Sequence, residues 1–300
     1  MATEYTVPAE ALRIDGEMKQ VWEQIPLRTE LPPVQYVVTQ EKVDLYLDAV
    51  GGPTSPGEAA GWVPPELFCG DYGPLTQEFG QTVGFHANHK FTAHRPLAIG
   101  ATVTATGTVT DKFERRGFRY FTLSFTHSDE DGQPVVTNET TIAVGVLRDP
   151  NYKPEPRAPR LAGGKSLEPT YAPIATVTID QPSMAAFAAQ GALRWGWEDT
   201  GGGAHTDELF AQSAGLEQTN AQSLHYVGWM ARHLASSWGA DWWRRGGLNV
   251  KFVSQVGPND TLRLEATVDD GRERLVRVVN DRSDSVICIG AATMQAGEGE

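Results

Sequence analysis

Seven histidines and two cysteines are the side chains in this 300-residue sequence with the most obvious chemistry. His86, His89 and His94 are close enough in sequence to suggest a metal cluster. The run that carries them, GFHANHKFTAH, alternates like a strand, and residues three apart on a strand point to opposite faces. That pattern argues against His86 and His89 sharing an ion, and no metal site is expected. His205 follows Gly201-Gly202-Gly203 and reads either as an active imidazole or as a cap on a helix beginning near Asp207. Asp207 reads either as a second acid or as an N-cap or first-turn carboxylate, which the helix dipole favours. His225 and His233 straddle Trp229 at helical spacing and are expected on an outer or interface face. Cys69, in FCGDYG, has no nearby base in sequence to activate it. Gly163-Gly164-Lys165 lacks the spacing of a phosphate loop.

The elements that position these groups follow from periodicity. GFHANHKFTAH, ATVTATGTVTDKF, RGFRYFTLSFTHS and QPVVTNETTIAVGVL alternate with period two and are rich in Val, Thr, Phe and Tyr, the pattern of half-buried strands. Asp131-Gly132 marks a hairpin turn. Before them, VTQEKVDLYLDAVGG has helical spacing at Val43, Tyr46 or Leu47, and Val50. The second half repeats the order. A short helix, SMAAFAAQGA, leads to a longer one, NAQSLHYVGWMARHLASSWG, with Val227, Met230 or Ala231, Leu234 and Trp238 on one face. Strands GGLNVKFVSQV, DTLRLEATVDD, RERLVRVVND and SVICIGAATMQ follow.

Sliding the chain by 159 residues sets Thr102 over Thr261, Thr108 over Thr267, Val109 over Val268 and Asp111 over Asp270. Together with the repeated order of elements, this points to a duplication. Between the halves, Arg148 to Pro173 holds six prolines, and proline removes backbone donors and fixes φ. The expected organisation is a first repeat at 1–147, a linker at 148–173 and a second repeat at 174–300. A long helix followed by an antiparallel meander implies an α+β fold in which a curved sheet wraps the helix. Such a sheet needs its edge covered, and the repeat offers a partner in the same chain.

Composition narrows the function. The net charge of −13 argues against nucleic acid or anionic lipid as the main partner. Two cysteines build neither a disulfide scaffold nor a thiolate zinc site. The amino terminus has no basic and apolar leader pattern, and no apolar stretch approaches 18 residues, so a soluble, cytoplasmic protein is expected.

HTDELFAQSAG (205–215), the helix after it, and LNVKFVSQVGPNDTLRLEATV (248–268) resemble the MaoC-like (R)-specific enoyl-CoA hydratases and 3-hydroxyacyl dehydratases of the hot-dog fold. In that family a strand of the type F-x-x-P-V-x-P-G-D-T-L follows the central helix, and FVSQVGPNDTL is similar to it. KFTAHRPLAIGATVTATGTV and RYFTLSFTHSDEDGQPVVTNETTIAV look like the degenerate amino-terminal repeat of double hot-dog members. The resemblance covers most of 35–147 and 175–295. It implies two repeats, each a long central helix wrapped by a curved antiparallel sheet, paired side by side.

The resemblance also implies an activity, the reversible addition of water across the double bond of a 2-enoyl thioester carried on CoA or an acyl carrier protein. Such chemistry needs a group to move a proton, a second to orient water, and donors for the charge developing on the thioester oxygen. His205 matches the family histidine. Ser223 falls where glycine usually supplies its backbone amide to the oxyanion. The family aspartate stands five positions before the histidine in D-x-N-P-x-H. Here that position is Thr200, and the Asn-Pro pair is absent. Asp199 is the preferred acid over Glu198, because a one-residue bulge in the glycine run would restore it to the site. His225 and Trp197 are candidate substrate contacts, and no cofactor is needed beyond the thioester carrier. Trp242-Trp243 reads as a rim or dimer contact, and Arg244-Arg245 as that or as a phosphate contact. A homodimer of double hot-dog chains with one active site per chain is expected. The competing readings are a thioesterase, a specialised lyase or cyclase with a remodelled site, and a non-catalytic acyl-thioester binding subunit.

Overall fold

Alternation in the sequence becomes the strands of a single sheet. The computed structural model describes residues 7–79, 83–149, 151–153, 169–197, 203–268 and 272–296. The first part of the chain supplies β1 (Val34–Val37), β2 (Gly84–Ala93), β3 (Thr102–Arg115), β4 (Phe118–Ser128) and β5 (Pro134–Val144). The second supplies β6 (Ala172–Ile179), β7 (Gly246–Phe252), β8 (Asp260–Ala266), β9 (Glu273–Asn280) and β10 (Val286–Met294). In β4 every second residue is buried, so Phe121, Leu123 and Phe125 face the core while Tyr120 and Thr122 face outward.

The sheet order is β1-β3-β4-β5-β2-β7-β10-β9-β8-β6, and every pairing is antiparallel. Read from the join between β2 and β7, the two halves are mirror images: β2, β5, β4, β3, β1 on one side and β7, β10, β9, β8, β6 on the other. Strand β6 starts inside the segment expected as linker. It pairs with β8 alone, an edge position that tolerates Pro173.

The helices are α1 (Ala9–Gln24), α2 (Gln40–Val50), α3 (Pro56–Ala59), α4 (Tyr72–Leu75), α5 (Gln181–Trp195), α6 (Glu208–Ser213), α7 (Ser223–Trp238) and α8 (Trp242–Arg245). Asp180 caps α5 in a reciprocal pair with Ser183, and Gly196 ends it in the left-handed conformation. Helices α2 and α5 pack together, and α7 packs against the Pro65–Asp71 turns. Those turns, with α4, are the first half's counterpart of α7. Pro65, Gly70, Gly73 and Pro74 interrupt the segment, so it forms short pieces rather than one long helix. Helix α7 is buried on nearly all sides, from Leu224 to Arg232, which corrects the expectation of an outer face for His225. At Gly228 a Cβ would run into the Tyr46 hydroxyl and Val50, so glycine there lets α2 approach α7 closely.

Two buried arginines clamp the halves. Arg194 of α5 donates to Asp71 Oδ1 at 2.9 Å and to the Leu67 carbonyl at 2.6 Å. Asp71 Oδ2 also accepts from the Tyr36 hydroxyl and from His127 Nε2, the latter at 2.8 Å. Arg232 of α7 donates to the Leu47 and Gly51 carbonyls at the end of α2, at 3.1 and 2.6 Å, and to Glu58 at 3.0 Å. Trp242 and Trp243 are core residues rather than a rim, with Trp242 stacked on Trp238 and edge-on to Phe91. No helix among the described residues is long and apolar enough to cross a membrane.

Candidate active site

The first turn of a helix has amides with no partner of their own. In α2, α5 and α6 a side chain answers one of them, from Thr39, Asp180 and Asp207 respectively. Asp207 is thus an N-cap, bonded to the Phe210 amide at 3.0 Å. At α7 the N-cap is Gln222 and no side chain caps the helix. The start of α7, Ser223 included, lines a cavity of about 440 Å³. The helix dipole makes this end partially positive, so an oxygen gaining negative charge is stabilised there.

His205 lines the same cavity. Its loop is pinned by two backbone bonds, Asn220 N–H to the Ala204 carbonyl at 3.1 Å and Ala221 N–H to the Val256 carbonyl at 2.8 Å. Gln181, at the start of α5, donates to the His205 carbonyl at 3.0 Å and accepts from Thr219 at 2.8 Å. His205 Nδ1 donates to the Asn220 carbonyl at 2.6 Å. In the neutral ring that leaves a lone pair on Nε2. Burial lowers the His205 pKa, partly opposed by the bond to Asn220. The imidazole is therefore neutral at pH 7 and equipped to accept a proton.

A second histidine lining the cavity comes from the first half. His86 of β2 reaches the Ser223 hydroxyl with Nδ1 at 2.6 Å. Its ring lies edge-on to Tyr72 at 5.0 Å and to His89 at 6.3 Å. The alternation rule places His86 and His89 on opposite faces, and a β-bulge between His86 and Asn88 overturns it. The extra residue re-aims His86 inward. Sequence reasoning missed this residue because the bulge leaves no trace beyond a break in alternation: His89, Phe91 and Ala93 are buried, and the next inward side chain is His86 rather than Ala87. Burial, with repulsion from His89 and His205, pushes the His86 pKa down to about 3. Burial pushes His89 to about 4.

The other candidates are more dispersed. Asp199 and Glu198 lie outside the described residues. His225 lines neither cavity; it is buried and stacked on Phe187 at 4.8 Å. Trp197 lines a second cavity of about 260 Å³, which shares Tyr72, Gln222 and Leu224 with the first. Glu66 also lines that second space, and burial pushes its carboxyl up to about 7. Arg244 and Arg245 face Asp241 and are at neither cavity. Cys69 is buried in the Pro65–Asp71 turns with its thiol pKa raised by burial. No group of three or more metal-ligating side chains is placed to hold an ion among the described residues.

Residues 203–287 match the model of the MaoC like domain. No curated protein matches the chain. Among solved structures it is similar to a MaoC-like dehydratase, 16% identical with a TM-score of 0.68 over 92% of this chain and 100% of that one. HtdX of Mycobacterium tuberculosis is 15% identical with a TM-score of 0.65, over 88% of this chain and 100% of that one. A conserved hypothetical protein of Mycobacterium tuberculosis, described as having a double hot-dog fold, is 14% identical with a TM-score of 0.56, over 91% and 98%. At these identities the likeness shows the fold: α+β, a double hot dog.

Proposed function

With a MaoC like domain across residues 203–287 as premise, we propose that the chain is a hydro-lyase adding or removing water at the double bond of a 2-enoyl or 3-hydroxyacyl thioester. The observation that carries the reading is the meeting, at one cavity, of a neutral His205, whose Nε2 has no partner among the described residues, and the uncapped start of α7.

In the hydration direction, His205 Nε2 takes a proton from water as the water oxygen bonds to the β-carbon. The electron pair of the double bond moves toward the thioester carbonyl and forms an enolate. The Ser223 amide and the α7 dipole stabilise that oxygen. A proton delivered to the α-carbon completes the addition, and we assign this acid to Asp199, with Glu198 as the alternative. The reverse sequence expels water. A neutral imidazole suits this work because it can accept a proton at pH 7 without first losing one.

The first half supplies cavity wall through Tyr72, Phe85, Phe118 and Ile142, which supports assigning it the binding of the acyl group. For the carrier we favour CoA. Arg148 stacks over Phe118 at 5.3 Å and Tyr152 at 5.5 Å, with Arg115 and Arg116 beside it on the β3–β4 hairpin around Tyr120. Phe118 lines the cavity, and guanidinium groups next to it suit phosphate. The test is loss of the conjugated enoyl absorbance across a short panel of 2-enoyl-CoA chain lengths, with free thiol measured in parallel on saturated acyl-CoA. Absorbance loss without thiol release supports the hydro-lyase. Thiol release alone overturns it in favour of a thioesterase.

A further inference from the structure

We propose that the Ser223 hydroxyl is a second hydrogen-bond donor to the thioester oxygen, held in position by His86 from the other half of the chain. The inference rests on the thioester reading above and adds a side-chain donor to the backbone amide that reading uses.

Three observations carry it. The Ser223 oxygen lies 2.6 Å from His86 Nδ1. Both residues line the cavity at the uncapped start of α7. His86 Nε2 is buried with no partner among the described residues. A neutral imidazole has one N–H, and an orphaned buried N–H is rarer than an orphaned lone pair. The ring hydrogen therefore sits on Nδ1 and points at the Ser223 oxygen, leaving Nε2 as the bare acceptor. The serine accepts from His86, so its own hydrogen is free to turn into the cavity. A hydroxyl that accepts one hydrogen bond donates a stronger one. The amide and the hydroxyl of one residue then converge on one oxygen, and the bulge in β2 is what brings His86 within reach.

His86 acts through Ser223 and is a positioning residue. The test compares Ser223→Ala, Ser223→Gly, His86→Phe and His86→Asn with wild type, each confirmed folded by its melting curve. Removing one such donor costs about 10²- to 10³-fold in kcat. Ser223→Ala and Ser223→Gly keep the backbone amide and are expected to lose about 100-fold in kcat with KM within about twofold. His86→Phe should match them, His86→Asn should recover part of the loss through its own N–H, and the Ser223→Ala/His86→Phe double variant should be no worse than either single.

A reading independent of turnover is the carbonyl stretch of bound butyryl-CoA, a saturated thioester. It should lie at lower frequency in wild type than in Ser223→Ala. Wild-type kcat in Ser223→Ala, or an unchanged carbonyl stretch, overturns the inference while leaving the hydro-lyase reading intact. Absence of enoyl hydration by wild type, with the carbonyl shift present, removes the hydro-lyase reading and keeps the donor.

Discussion

His86 and Ser223, 137 residues apart in sequence, are joined by a 2.6 Å hydrogen bond across the seam between the two halves of the chain. The relationship makes the cavity a product of both halves. The second half supplies His205 and the start of α7. The first supplies a histidine that a bulge has turned inward. A half that had kept only wall-forming residues would not need a buried imidazole against the helix start.

The same seam carries a structural prediction. Arg194 crosses from α5 to Asp71, which is fully buried. Arg194→Met leaves that carboxylate without its cation, and breaking a buried pair this way costs about 3–5 kcal/mol. The low end is expected, because Tyr36 and His127 still donate to Asp71. Denaturant unfolding of the variant checks it, and adding Asp71→Asn should restore part of the loss.

Glu66 predicts a pH dependence of stability. Its folded pKa, about 7, lies above the ordinary value of 4.5 because of burial. Between those values the folded state binds more protons than the unfolded state, so stability falls as pH rises from 4.5 to 7 and then levels off. The slope from one group reaches about 1.4 kcal/mol per pH unit. Glu66→Gln should remove this component and melt higher than wild type at pH 8, with the gap closing toward pH 4.5. Parallel melting curves at all pH values would contradict it.

The arginines near Phe118 predict a binding effect separate from chemistry. Arg148→Glu with Arg116→Glu is expected to raise KM for an enoyl-CoA about tenfold or more at low salt. The effect should shrink as salt screens the charges, with kcat little changed. The same enoyl group on pantetheine, which has no nucleotide phosphates, should be turned over alike by wild type and variant.

Much of this architecture was legible in the sequence, for physical reasons. Strands such as β4 are buried on one face, so alternation marks them, and Asp131-Gly132 marks their turn, with Gly132 at φ 73°. Strands β1 and β6 were missed: β1 has four residues, and β6 begins in a proline-rich run. Helix α1 carries few buried side chains, Ala11 and Met18 among them, and left a weak pattern. The place of His205 and Ser223 came from a family motif rather than from periodicity. His86 was discarded by the alternation rule, which fails at a bulge. The outer-face reading of His225 failed because its ring packs on Phe187 of α5 and bonds to the Ala49 backbone of α2, contacts that no local pattern records.

The central claim is that His205 moves the proton of water at the start of α7. The most direct measurement is kcat/KM for hydration of a 2-enoyl-CoA by wild type and His205→Ala between pH 5 and 8, with melting curves for both. Protonation of His205 removes the base, and burial sets its pKa below the ordinary 6.5. Wild type should therefore hold its activity at pH 7 and lose it as pH falls below that value. His205→Ala should be slower by about 10²- to 10⁴-fold, the usual contribution of a positioned acid–base group, with no acidic limb. A His205→Ala protein that is folded and hydrates the substrate at the wild-type rate would contradict the account.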